Sequence, residues 1–97
     1  MTSQKKSWRI RGIANSAKKY IQKQDLKTQE ALLIKIECLE YDPFFGDIRK
    51  VEGKEDIFRL RADDHRIFYR VFHEDKTMDI LLIDKKSGIK RKTIQRL

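Results

Sequence analysis

Hydrophobic and polar positions alternate along this chain with two different periods, which separate strand segments from helix segments. From Ser7 to Ile13, apolar side chains recur at every second position and predict a first strand. The stretch DIFRLRADDHRIFYRVF predicts two further strands, Asp56 to Arg61 and Arg66 to His73, joined by a tight turn at Asp63-Asp64. An unbroken apolar run within Thr77 to Asp84 predicts a fourth strand, buried on both faces and therefore central.

Between the first two predicted strands, apolar residues recur every three or four positions and predict two helices. The first helix would be capped by Asn15 or Ser16 and extend to about Gln24. The second would be capped by Thr28 and end before Asp42-Pro43, because proline disfavours the helical conformation of the residue before it. Its apolar stripe consists of Leu32, Leu33, Ile36 and Leu39.

The segment after Pro43 shows neither the strand period nor the helix period. Phe44-Phe45-Gly46 is typical of a turn, and Ile48 to Gly53 is predicted to be a loop. The resulting order, β-α-α-β-β-β, predicts an α+β fold. In it, a helical hairpin packs on one face of a twisted, mainly antiparallel four-stranded sheet.

The alternation also predicts which side chains lie on the sheet face away from the helices, here called the open face. Side chains two apart in a strand share a face, so burying Phe58 and Leu60 under the helices turns a set of arginines outward. These are Arg59, Arg61, Arg66 and Arg70, with Phe68 among them. Like charges on neighbouring strands repel, which favours an anion-binding face over a merely solvated one.

The chemistry of arginine makes phosphate the natural anion for such a face. Its planar fork donates two parallel hydrogen bonds and stays charged at physiological pH. Phe68 could stack on a nucleic-acid base, although a partly covered aromatic side chain explains it equally well.

Composition narrows the classes of partner and compartment. The 97 residues suit one domain, and the net charge of +8 favours a polyanion: nucleic acid, the ribosome, an anionic membrane or an acidic protein. A single cysteine, Cys38, excludes an internal disulfide framework and favours a reducing compartment; we interpret it as a small buried hydrophobe.

Without a signal-peptide pattern or membrane-length apolar segment, we expect a cytoplasmic protein with no membrane partner. The absence of phosphate-loop and metal-ligand motifs predicts no cofactor and no metal.

Two further groups of cations could extend an anion-binding surface. The segment 85–97 is a basic tail with no acidic residue, which is either a frayed soluble terminus or part of that surface. Its cations are Lys85, Lys86, Lys90, Arg91, Lys92 and Arg96. On the first helix, Lys18, Lys19 and Lys23 form either a solvated face or a contact to ribosomal RNA backbone.

Two motifs together resemble the RelE/ParE toxin superfamily. Val51-Glu52-Gly53 followed by IFRLRADDHRIFYRV resembles its central signature, a glycine-containing loop before a basic strand, a short turn and a second strand. The helix end LEYDP is similar to another family segment, and the element order agrees. The resemblance covers nearly the whole chain and implies a single RelE-like toxin domain over 1–97. One branch of the superfamily cleaves messenger RNA in the ribosome and another poisons DNA gyrase.

For the RelE branch, the resemblance implies a toxin that inhibits translation by cleaving translated mRNA in the ribosomal A site without a metal. The 2′-hydroxyl attacks the adjacent phosphate, leaving a cyclic phosphate and a free 5′-hydroxyl. Arg66 matches the family's catalytic arginine, and Arg59 and Arg61 match its basic positions. Lys85 and Lys86 fall where the family has another catalytic cation. The implied partners are the ribosome, mRNA and a cognate antitoxin in a hetero-oligomer.

The chain departs from the family where protons are transferred. Many relatives have a tyrosine near the C-terminus; here Thr93 is the nearest hydroxyl. We interpret His65 as a turn residue, which leaves Lys85 or Lys86 as candidates for proton transfer. The alternatives are a ParE-like gyrase inhibitor and a non-catalytic basic RNA-binding module.

Overall fold

A computed structural model describes residues 5–97, which fold into a five-stranded sheet with two helices on one face. The strands are β1 (Arg9–Ile13), β2 (Ile48–Lys50), β3 (Ile57–Ala62), β4 (His65–Phe72) and β5 (Thr77–Lys85). The helices are α1 (Asn15–Gln22), α2 (Leu26–Leu39) and α3 (Arg91–Gln95), and Lys86–Gly88 forms a 3-10 turn. None of the described helices has the length and apolarity needed to cross a lipid bilayer.

The sheet order is β1-β5-β4-β3-β2, with β1 parallel to β5 and the other pairs antiparallel. The α+β class and the mainly antiparallel sheet are confirmed. The predicted strand number is wrong, because the stretch expected to be a loop contains β2. A three-residue edge strand is too short to show a period in the sequence.

The central strand is β4 rather than β5. Four consecutive residues of β4, from Arg66 to Tyr69, are buried, whereas Leu81 and Leu82 of β5 are partly exposed. An unbroken apolar run therefore marked an interior strand correctly but not the middle one.

The main core lies between the sheet and the pair α1 and α2. Ala17 and Ile21 of α1 and Leu32, Ile36 and Leu39 of α2 pack on the inward side chains of β3, β4 and β5. These inward side chains are Leu60, Ala62, Ile67, Tyr69, Val71, Met78, Ile80 and Ile83.

Tyr69 ties the connection after α2 to the centre of the sheet. Its hydroxyl donates a hydrogen bond to the backbone oxygen of Pro43, and both residues are fully buried. Burial, followed by the charge of Asp42, raises the pKa of Tyr69. The phenol therefore stays protonated and able to donate.

Only one stripe of α2 faces the sheet. Leu33 is 48% exposed and Cys38 is also exposed, which corrects the expectation that both are buried. At 100° per residue, neither position falls on the stripe formed by Leu32, Ile36 and Leu39.

The observed helix ends differ from the predicted ones. The side chain of Asp25, not Thr28, caps α2: its Oδ1 accepts the Thr28 N–H at 2.8 Å. Ala14 precedes α1 and makes no side-chain cap bond, so neither Asn15 nor Ser16 caps that helix. The turn at Asp63-Asp64 is confirmed, with Asp63 in the left-handed conformation at φ 54°.

We expect the Asp25 cap to make folding sensitive to acid. The hydrogen bond to Thr28 lowers the pKa of Asp25 below its ordinary value of 3.8. Its stabilising contribution is therefore complete above that value and lost as the pH falls through the lower, folded-state pKa. Thermal unfolding measured from about pH 5 to about pH 2 should show this loss.

Asp25→Asn is the matched control, because asparagine caps helices as well as aspartate but does not titrate. Its unfolding temperature should fall less steeply with acid than that of the wild type. Identical pH profiles for the two proteins would contradict an ionised cap at Asp25.

Candidate functional site

The strand register brings five arginines of β2, β3 and β4 to the open face. Across β3 and β4, Arg61 pairs with Arg66 and Arg59 pairs with Phe68. Directly opposed residues of an antiparallel pair share a face, so the predicted convergence of these side chains is confirmed. We call the set Arg49, Arg59, Arg61, Arg66 and Arg70 the arginine cluster.

Arg49 is the member that the sequence analysis missed. It lies in β2 directly opposite Arg59 and is exposed. The sequence signal for β2 was the pair of glycines, Gly46 and Gly53, on either side of a segment short enough to be one edge strand. Both glycines adopt positive φ angles, 106° and 78°, as turn residues often do.

Arg66 is the buried member of the cluster, only 6% exposed. One of its terminal nitrogens donates to the backbone oxygens of Asp63 at 3.3 Å and His65 at 3.1 Å. Burial lowers its pKa, and the charges of Arg61 and then Arg59 lower it further. The β3–β4 turn thus holds a guanidinium whose charged form is disfavoured by burial and by the neighbouring arginines. A bound anion would offset both effects.

Most of the arginine cluster lacks an acidic partner. Within residues 5–97, its only ion pair joins Arg61 Nε to Asp47 Oδ2 at 3.9 Å, between two largely exposed side chains, which contributes little. Elsewhere on the sheet Arg11 is fully paired: it donates two hydrogen bonds to Asp79, at 3.1 and 2.6 Å, and lies 4.2 Å from the Phe72 ring centre. Asp84 lies opposite Arg66 on the same face but forms no ion pair with it among the described residues, so the cluster keeps an excess of positive charge.

A groove of about 640 Å³ lies between β2, β3 and α3, beside Arg49 and Arg59 of the cluster. Arg49, Arg59 and Arg91 line it together with Phe68 and Ile94. The Lys54 ammonium donates to the Gln95 backbone oxygen at 2.7 Å, which fastens α3 beside the groove.

Phe68 lies on the predicted face but is not available for stacking in this structure. Only 1% of its surface is exposed, which corrects the expectation of an open aromatic ring. Arg59 and Leu82 flank it on the neighbouring strands, and Ile94 of α3 lines the same groove, so long side chains cover the ring.

The two predicted catalytic lysines are placed differently from the arginines. In the β4–β5 pairing, Asp84 lies opposite Arg66 and the next residue, Lys85, lies opposite His65. Because side chains alternate along a strand, Lys85 lies on the opposite face of the sheet from Arg66. Lys86 begins the 3-10 turn and is exposed. Together with Asp64, the two lysines line a separate cavity of about 460 Å³.

The predicted RNA-contacting cations divide between the two sides of the sheet. Arg70 is half-buried on the open face, and Lys90, Arg91 and Lys92 are exposed at the start of α3. Lys18, Lys19 and Lys23 are exposed at or just after α1, on the helix side. Only a partner large enough to reach both sides could contact all of these residues.

Neither histidine side chain faces the arginine cluster. His65 faces the helix side, where its ring meets Tyr20 edge-on at 5.7 Å and its Nε2 is buried without a hydrogen-bond partner. His73 stacks on Phe44 and lies 3.2 Å from Asp56. Residues 5–97 contain no group of three or more His, Cys, Asp or Glu side chains that could hold a metal ion.

A family model of the ParE toxin of the type II toxin–antitoxin system parDE matches residues 12–89. The chain therefore belongs to this toxin family, within the RelE/ParE superfamily that its motifs resemble. No curated protein matches the chain significantly.

Solved structures of RelE toxins share the fold. RelE in the archaeal RelE–RelB complex from Pyrococcus horikoshii OT3 is 28% identical with a TM-score of 0.71, covering 84% of this chain and 98% of that chain. The RelBE2 complex from Mycobacterium tuberculosis is 19% identical with a TM-score of 0.67, and the match covers 79% of this chain and 90% of that chain. The intact E. coli RelBE complex is 21% identical with a TM-score of 0.66, and the match covers 87% of this chain and 98% of that chain. Because the M. tuberculosis and E. coli structures are so distant in sequence, their likeness concerns the fold alone.

Proposed function

We propose that this toxin is a ribosome-dependent endoribonuclease, a single cytoplasmic domain that cleaves translated mRNA in the A site and so inhibits translation. The observation that carries the proposal is the arginine cluster, in which a buried, turn-anchored Arg66 lies beside other guanidiniums whose only ion pair, among the described residues, is the exposed contact of Arg61 with Asp47. The likeness to RelE structures supports the same branch.

The cluster suits attack of a ribose 2′-hydroxyl on the adjacent phosphodiester. Negative charge accumulates on the phosphoryl oxygens in the transition state, and fixed cationic donors stabilise it without reorganising. Arg66 would bind the phosphate undergoing attack, with Arg59 and Arg61 beside it. Because Arg66 is already desolvated and held by the turn, its attraction to the phosphoryl oxygens is weakly screened by water.

Proton transfer requires groups other than histidine in this chain. Lys85 and Lys86 remain the proposed candidates, and their position beyond the end of the arginine face requires the substrate to extend around the tip of β5. Arg70, Lys90, Arg91 and Lys92, and on the other side Lys18, Lys19 and Lys23, would hold RNA backbone of the message or the ribosome. The proposed chemistry needs no metal or cofactor.

A cognate antitoxin would keep the toxin inactive in a hetero-oligomer. Several similar structures are toxin–antitoxin complexes. An uncompensated cationic face attracts an acidic or helical segment of another chain, since complementary potentials steer association.

Mapping the 5′ ends of cellular transcripts after brief induction tests the proposal. We expect new 5′-hydroxyl ends within translated regions, in phase with codons, and none in the same transcripts when their start codons are removed. RNA binding without new ends would instead indicate a non-catalytic module.

A ParE-like gyrase inhibitor is the second candidate, and the family match to ParE favours it. Under this alternative, induction should damage DNA and arrest replication while transcript ends and protein synthesis are initially unchanged. Measuring both responses in the same culture separates the two candidates, because each predicts an early effect on a different macromolecule.

A further inference from the structure

Arg49 begins a row of side chains that crosses the groove on the open face. It lies opposite Arg59, which in turn lies opposite Phe68. Arg91, from the first turn of α3, lines the groove from the other side. In the part of the chain that the structure describes, none of these three arginines forms an ion pair. Glu52 also lines the groove, but with Lys50 the lining carries four cations against this one carboxylate, so the groove keeps an excess of positive charge.

A second row lies two residues further along β3. There Arg61 pairs with Arg66, the residue proposed to bind the phosphate that is attacked. A strand rises about 3.3 Å per residue, which separates the two rows by about 6.6 Å. This separation is similar to that of consecutive phosphates along an extended RNA strand.

We propose that Arg49, with Arg59 and Arg91, forms a second phosphate site that binds the phosphodiester next to the one held at Arg66. The inference rests on the proposed function for its ligand, RNA. It adds a substrate-binding role for Arg49 and fixes the minimum substrate length at two consecutive phosphates.

The lining of the groove favours RNA over an acidic protein segment. Guanidinium forks match phosphate oxygens in two-point contacts. Between the cations, Ile94 is partly exposed and supplies an apolar contact against which a sugar or base edge can pack, whereas the Phe68 ring beside it is covered. A carboxylate-rich peptide would use the charge but not this apolar contact.

Binding of uncleavable RNA to the isolated toxin tests the second site. A dinucleotide with one phosphate and a trinucleotide with two, both fully 2′-O-methylated to block attack, are titrated by NMR. For the wild type, we expect the second phosphate to raise affinity roughly tenfold, as a charge-assisted contact does. Arg49→Ala should bind the two probes almost equally.

Arg9→Ala is the matched control. Arg9 is also an exposed strand arginine without an ion pair among the described residues, but it lies in β1, at the sheet edge opposite β2. This variant should keep the tenfold gain. The salt dependence adds an independent readout, since the trinucleotide should lose about 0.7 of its logarithmic salt slope in Arg49→Ala only.

The outcomes separate this inference from the proposed function. An equal gain from the second phosphate in wild type and Arg49→Ala, or no gain in the wild type, would overturn the second site even if ribosomal cleavage is demonstrated. A gain that depends on Arg49 supports the site even if no mRNA is cleaved. Equally tight, Arg49-dependent binding of a glutamate peptide of the same charge would overturn the assignment of RNA as its ligand.

Discussion

Replacing Arg66 with alanine should lower the rate of mRNA cleavage by about 10²–10³-fold, the usual cost of removing one preorganised donor to a transition-state oxyanion. The loss should fall on the chemical step, because the remaining arginines still attract the RNA backbone. Single-turnover cleavage on ribosomes carrying a defined message measures that step directly, and growth after induction reports the same change in cells.

The fold should survive this substitution. Arg66 is buried without an acidic partner among the described residues, and its lowered pKa means that the folded state disfavours its charge. Removing the side chain relieves this electrostatic cost, but it also removes packing and the hydrogen bonds to the Asp63 and His65 backbone oxygens. Circular dichroism should show the native fold, with a moderately lower thermal unfolding temperature than that of the wild type.

Two variants sharpen the interpretation. Arg66→Lys keeps the charge but not the planar fork, so we expect partial activity between that of alanine and wild type. Arg9→Ala removes an equal charge from the far edge of the sheet and should cleave normally. Full cleavage by folded Arg66→Ala would refute the nuclease assignment at this residue.

Strand parity explains why much of the site could be predicted from sequence. In β3 and β4 the side chains alternate strictly, so burying Leu60 and Tyr69 fixes Arg59, Arg61 and Arg66 on the other face. This result follows from local geometry and needs no knowledge of how the rest of the chain packs.

The missed features depend on contacts distant in sequence. β2 is a strand only because it pairs with β3, and three residues carry no usable period. Phe68 is buried although it lies on the open face, and the C-terminal segment forms a helix at the same groove where its basic composition predicted an unstructured tail as readily. Charge and alternation could place these residues on a face but not predict what covers them.

The placement of Lys85 shows a limit of alignment to a family motif. The motif locates a cation near the end of β5, but a shift of one residue moves a strand side chain to the opposite face. Here the register gives the open face to Asp84, opposite Arg66, and the helix side to Lys85. Proton transfer at the cluster is therefore the step for which the sequence was least informative.

Replacing Tyr69 with alanine should have the largest effect on stability, about 3–5 kcal/mol, as for other large aromatic residues removed from a core. Tyr69 has no exposed surface and packs at the centre of the sheet, and its hydroxyl holds Pro43. For a domain of this size, 1 kcal/mol corresponds to about 4–8 °C, so the unfolding temperature should fall by at least about 12 °C.

Tyr69→Phe separates packing from the hydrogen bond. The ring is retained, but the buried Pro43 oxygen loses its donor, so we expect a loss of about 1–3 kcal/mol in urea unfolding. Tyr41→Phe, at a tyrosine that is 38% exposed, is the control and should change stability by less than about 0.5 kcal/mol. Because Tyr69 faces the helices and not the arginine cluster, Tyr69→Phe should cleave RNA normally at temperatures where it is folded. Equal stability of Tyr69→Phe and wild type would mean that the Pro43 contact does not hold the α2–β2 connection.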